Sequence, residues 1–237
     1  MAGLGISQGE MLLAVDCRNT SGAFADSFFV ASYDETLRSS TSDAAFAACV
    51  QADRDHDPPA GTTYNPSGGA TRIFHTGTGL YTMRFFGLNS FRGVPMVTPM
   101  GDQDRICSVR SYGVSGVDSN FYIACFDRSG VPADAIFAFK YEGRNAAAAL
   151  PSDTAFLWAH DPVASSYTPS TDYSWNSIRR SATANGAGNA STFQFATFPS
   201  FPVSDATHHS SLLVTGYDST AAPVYCKPSR GSRRAPA

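Results

Sequence analysis

Charge is what this sequence has least of. Charged residues make up 16% of its 237 residues, against about 25% in an ordinary globular domain, and the net charge is −3. That balance gives no electrostatic case for nucleic acid or an anionic membrane as partner. Arg230, Arg233 and Arg234 form one basic run, which reads as part of a solvated, flexible tail over 228–237. No apolar run reaches the ~18 residues of a membrane span. The first residues, MAGLGISQGEMLLAVDC, lack the basic start and apolar length of a signal peptide. A phosphate-binding glycine loop, a CxxC pair and an HExxH are also missing, which removes the usual signs of nucleotide, dithiol and zinc-protease chemistry.

What is present is apolar and aromatic. Hydrophobic residues reach 43% and aromatics 12%, enough for one large core or two domains of about 100 residues each. With few charges, Ser, Thr, Asn and Gly must cover the surface, as in many extracellular β proteins.

An internal repeat organises the chain. Met11–Asp34 carries the pattern of Asn120–Glu142, which superimposes without a gap on Leu12–Asp34 at an offset of 108 residues, the distance from Cys17 to Cys125. Ser21 falls on Ser129, Gly22 on Gly130, Ala25 on Ala133, Asp26 on Asp134, Phe29 on Phe137 and Tyr33 on Tyr141. With the two cysteines this makes seven identities in 17 positions, where chance gives roughly one. Further along, His56-Asp57-Pro58 is answered by His160-Asp161-Pro162, and Tyr64-Asn65-Pro66 by Tyr167-Thr168-Pro169.

Short strands bounded by turn residues follow one another: Leu12–Cys17, Ala23–Tyr33, Thr78–Gly87, Val94–Thr98, Ile106–Ser111, Phe121–Phe126 and Ile136–Tyr141. Phe46–Ala52 fits a strand or a short Ala-rich helix, and Asp57–Gly69 an extended loop. The expected fold is all-β, with two β-sandwich-like domains related by the repeat. One is continuous, 46–141. The other is permuted, 11–33 plus 156–227, assembled from both ends of the chain so that neither fragment leaves open strand edges. Residues 34–45 and 142–155 are the expected linkers.

Five cysteines follow this plan. One disulfide per domain, Cys107–Cys125 and Cys17–Cys226, is the economical pairing and implies an oxidising compartment; buried reduced thiols are the alternative. Cys49 has no counterpart and reads as a buried thiol.

Thr78–Phe85, Val97-Thr98, Cys107–Val109 and Cys125–Phe137, with Trp158–Pro162, Tyr167–Pro169 and Asn176-Ser177, resemble repeated β-rich domains of uncharacterised secreted bacterial proteins. The resemblance implies an extracellular, tandemly repeated module and carries no assigned activity.

Several groups are candidates for chemistry. Asp53, Asp55 and Asp57 alternate beside His56, and clustered oxygen ligands suit calcium, the one cofactor the sequence could offer; a solvated acidic loop is the plainer account. His56 with Asp57, and His160 with Asp161, could each be a polarised general base or a turn shared by both copies. Gly5–Gly9 spells G-x-S-x-G, but the nucleophile elbow needs a helix after it and a strand pattern follows. His208-His209 has no metal-spaced partner. Tyr64, Tyr167, Tyr173 and Trp175 lie in Asn/Ser/Thr-rich stretches, where aromatic faces rimmed by hydrogen-bonding side chains suit sugar rings; sealing the ends of a core is the other use for them. The leading expectation is a non-catalytic extracellular or cell-surface binding module, with carbohydrate or cell-envelope material as partner. A self-associating structural subunit and a hydrolase using a His–Asp pair are the alternatives.

Overall fold

The computed structural model describes residues 43–143 except Asp102, plus Thr168 and six short backbone segments outside that range. Those segments form three antiparallel pairs: β1 (Leu4–Ser7) with β2 (Glu10–Leu13), β11 (Ala155–Phe156) with β12 (Trp175–Asn176), and β13 (Ala182–Ala187) with β14 (Ala190–Phe195). Ser7 ends β1, and a strand, β2, follows from Glu10 where a nucleophile elbow needs a helix. Of the permuted domain only parts of these segments and Thr168 are described, and the Cys17–Cys226 pairing lies outside the described residues.

Residues 43–143 form two antiparallel four-stranded sheets, and no helix occurs among the described residues. The first sheet runs β4 (Thr63–Tyr64), β3 (Ala45–Cys49), β10 (Phe137–Gly143), β7 (Gly93–Pro99). The second runs β5 (Thr71–Gly77), β6 (Leu80–Phe85), β9 (Asp118–Asp127), β8 (Arg105–Ser115). The chain crosses between sheets after β4, β6, β7 and β9.

Period-two alternation decides which faces meet. In β10, Phe137, Phe139 and Tyr141 point inward and are at most 2% exposed, with Ala138, Lys140 and Glu142 outside. Opposite them, Ile73, Tyr81, Met83, Phe85, Phe121 and Ile123 fill the inner face of the second sheet. Phe121 is the hub: its ring centroid lies 4.8 Å from Phe139, 5.0 Å from Tyr141 and 5.8 Å from Phe85. Edge-to-face and tilted pairs of this kind add to the burial of apolar area that holds the sheets together.

The ambiguous Phe46 stretch is strand β3. Its alanines have high helix propensity, but Ala45 and Ala47 sit against the large rings of β10, and small inward residues leave room for those rings. Two other expectations shift. The single strand expected over Thr78–Gly87 is the second arm of a hairpin, whose first arm, β5, carries a less regular pattern. The turn between them uses Gly79, at φ +68°, where a Cβ would stand 2.3 Å from the Cys125 carbonyl oxygen. The sheets also reach past both expected boundaries: β3 starts at Ala45 and β10 ends at Gly143. Asp43, just before β3, accepts a hydrogen bond from Ser90 Oγ at 2.9 Å, and Ser90 in turn accepts one from the Tyr141 hydroxyl.

Cys107 and Cys125 are directly opposed on β8 and β9 and are joined by a disulfide. Cys125 gives its backbone N–H to Gly79 and its carbonyl to Ala133, so the pair occupies a site where opposed Cα atoms approach closely, here 4.1 Å.

Candidate functional site

The repeated motif has a structural use at each shared position. Asp127 Oδ1 accepts from Ser129 Oγ at 2.7 Å and from the Val131 N–H at 2.9 Å, and these donors hold its carboxyl below the ordinary carboxylate range. Gly130 takes φ +83° in the same turn. Asp134 then closes the loop on the β5–β6 hairpin. Its Oδ1 accepts from the Gly79 N–H at 2.6 Å and meets His75 Nε2 at 2.9 Å. Partial burial pushes the Asp134 pKa up, but the Gly79 N–H and the imidazole outweigh it and leave the pKa lowered. Beneath them Tyr81 donates its hydroxyl to Ala52 O and accepts the Ala135 N–H. This cluster is a clamp between β5, β6 and the loop before β10.

His56 is 7% exposed. Its Nε2 faces the Val50 N–H at 3.3 Å and its Nδ1 the Arg54 carbonyl at 3.1 Å. A backbone N–H must donate and a carbonyl must accept, so the proton sits on Nδ1 and both nitrogens are taken. Its backbone pairs with Ile73 as well. Asp57 points elsewhere, 3.9 Å from Arg72. The three carboxylates of this loop face separate partners: Asp53 pairs with Arg54, which lowers its pKa, and Asp55 accepts the His75 N–H. No group of three metal-ligating side chains occurs among the described residues. Cys49 is buried and free, its thiol pushed up to about 12 by desolvation, which leaves it unreactive.

Tyr64 is half-buried, its ring 6.0 Å from Phe46 on the outer face of the first sheet. Trp175 lies on β12, of which only the backbone is described. Tyr167, Tyr173, His160 and Asp161 lie outside the described residues.

The outer face of the second sheet carries a different constellation. Register places Arg72, Arg84 and Asn120 in one row across β5, β6 and β9, and Phe74, Thr82, Tyr122 and Ser111 in the next. Tyr122 is 41% exposed. The Arg84 guanidinium stands over Phe74 at 5.4 Å and over Phe86 at 5.7 Å, and its Nε donates to Asn120 Oδ1 at 2.8 Å. Arg72 stands over the same Phe74 ring, also at 5.4 Å. Each of these residues sits singly in an ordinary strand, so no local motif marks them in the sequence. The alternation R-x-F in β5 and T-x-R-x-F into Phe86 is the signal that could have found them.

A shallow, open depression elsewhere is lined by Asp104, Arg105, Asp127, Arg128 and Ser129. Its charges answer one another, with Arg128 Nη1 3.4 Å from Asp104 Oδ2.

Comparison with protein families, with characterised proteins and with solved structures returns no match.

Proposed function

We propose that the protein is a non-catalytic binding module of the extracellular space or cell surface, which takes carbohydrate on the outer face of the second sheet. The observation that carries this is the Tyr122 row: an exposed phenol ring flanked across the strands by Thr82, Ser111 and the half-buried Phe74. An aromatic plane accepts the apolar CH face of a sugar, and the hydroxyls beside it meet the ring's rim. The Cys107–Cys125 disulfide supports an oxidising location. A tandem sandwich, with a second domain built from 11–33 and 156–227, would present further aromatics from Tyr167, Tyr173 and Trp175. The resemblance to repeated secreted β-rich domains fits that organisation. Edge-to-edge self-assembly is the weaker reading, since edge strand β4 has two residues, β7 carries Pro95 and Pro99, and β8 has a bulge.

The test is retention of the purified chain on a panel of insoluble polysaccharides and bacterial cell walls, with and without chelator. Retention on one material, reduced about tenfold or more by Tyr122→Ala in a still-folded protein, is expected. Retention that survives Tyr122→Ala and Phe74→Ala but is lost with Trp175→Ala would move the site to the second domain. No retention on any material would end the binding reading.

A further inference from the structure

We infer that the ligand of this face is an acidic polysaccharide whose carboxylates are gripped by Arg84 and Arg72; the inference rests on the binding reading above. The first observation is an unfavourable one. Arg72 and Arg84 are directly opposed across β5 and β6, and like charges in that relation destabilise a sheet. Both converge on one Phe74 ring, whose negative face attracts cations but does not neutralise two of them. The ion pair on that side is Arg72 with Asp57, long at 3.9 Å and exposed on both partners, so it is screened by water. Asp118, at the start of β9, is occupied by the Gly87 N–H. Among the described residues Arg84 meets no carboxylate within ion-pair distance.

The second observation is preorganisation. Arg84 is held between Phe74 and Phe86 and anchored through Nε to Asn120, which is 3% exposed. Its terminal nitrogens meet no acceptor among the described residues. A guanidinium anchored through its Nε and set against two rings keeps its terminal nitrogens as a fork, and a planar carboxylate matches that fork. Little side-chain entropy remains to be lost on binding. Tyr122, diagonal to Arg84 on the neighbouring strand, places a ring where the sugar bearing that carboxylate would lie. A neutral glycan would use the aromatic row and leave Arg84 unanswered and Arg72 with its long Asp57 contact alone.

The experiment measures binding of the full chain to alginate, polygalacturonate and hyaluronate, each beside its carboxyl-reduced form, with single-stranded homopolymer DNA as a non-sugar polyanion. Expected is retention on at least one acidic glycan, weaker by about tenfold or more on its reduced form and falling with salt. Arg84→Gln and Arg72→Gln should each lower it by about tenfold or more, and Arg84→Lys should fail to restore it because an ammonium has no fork. Arg72 is exposed, so its variant keeps the test open should Arg84→Gln unfold. Equal binding to acidic and reduced glycans overturns the inference and leaves the binding module standing. Binding to DNA alone overturns it in favour of a nucleic-acid face. Binding to nothing overturns both readings.

Discussion

On the outer face of the first sheet, Lys140 lies 3.5 Å from Glu142 and Tyr64 stacks on Phe46. On the outer face of the second, Arg72 and Arg84 oppose each other over one phenyl ring and Tyr122 stands exposed. Both faces belong to sheets that share a core, and both alternate in the same way. The first settles its charge and its rings among its own residues. Among the described residues, the second leaves Arg84 without a carboxylate, gives Arg72 only a long, exposed ion pair with Asp57 and keeps an aromatic plane open, an arrangement that folding alone does not require. The difference separates a covering surface from a surface arranged for something outside the chain.

The widest break in that comparison comes from the core beneath both faces. Phe121→Ala removes the ring that touches Phe85, Phe139 and Tyr141 and should destabilise the unit by about 3–5 kcal/mol. Urea unfolding would register it, and ligand retention should fall with it. Replacing Cys107 and Cys125 together by Ser acts on the second sheet alone. Opening that cross-link, across 18 residues of sequence separation, should lower stability by about 3 kcal/mol, with a matching fall in the urea midpoint. Reductant should produce the same fall in the native protein and none in the double variant.

Asp134→Asn loosens the β5–β6 hairpin on which Arg72 and Arg84 sit. The folded-state pKa of Asp134 is lowered, so its contribution is present above the unfolded carboxylate value of about 3.9 and is lost as pH falls through the lower folded value. The Asn variant should lose about 1 kcal/mol at neutral pH. Its stability should also depend less on pH below about 4 than that of the native protein, in thermal melts across pH 2–7. The smallest effect on binding belongs to the quiet face: Lys140→Gln removes the partner of the largely buried Glu142, so it should lower stability by about 1 kcal/mol and leave glycan retention unchanged. A large loss of retention there would place the ligand on the wrong sheet.

Much of the scaffold was legible before the fold was known. Val94–Thr98, Phe121–Phe126 and Ile136–Tyr141 are short, mostly apolar runs set off by turn residues, and each is a strand within a residue or three of its expected limits. The opposed Cys107 and Cys125 followed from neighbouring strands. Thr71–Gly77 escaped because its outward positions hold Arg72 and Phe74 and its inward ones His75, so apolar and polar residues do not alternate cleanly. His56 looked like chemistry beside Asp57, yet its ring is turned into the backbone of Val50 and Arg54, a matter of loop path rather than of neighbouring residue types.

The order of residues alone set where short strands and the turn residues between them fall, and which side chains would seek a common interior. These are local preferences, set by sterics and by water around each short segment. Only the tertiary structure decided which strands became neighbours. Register between β5, β6 and β9 brings Arg72, Arg84 and Asn120 into one row, though up to 48 positions part them along the chain. A surface of that kind has no local signature, because it exists only after long-range pairing has fixed which residue stands opposite which.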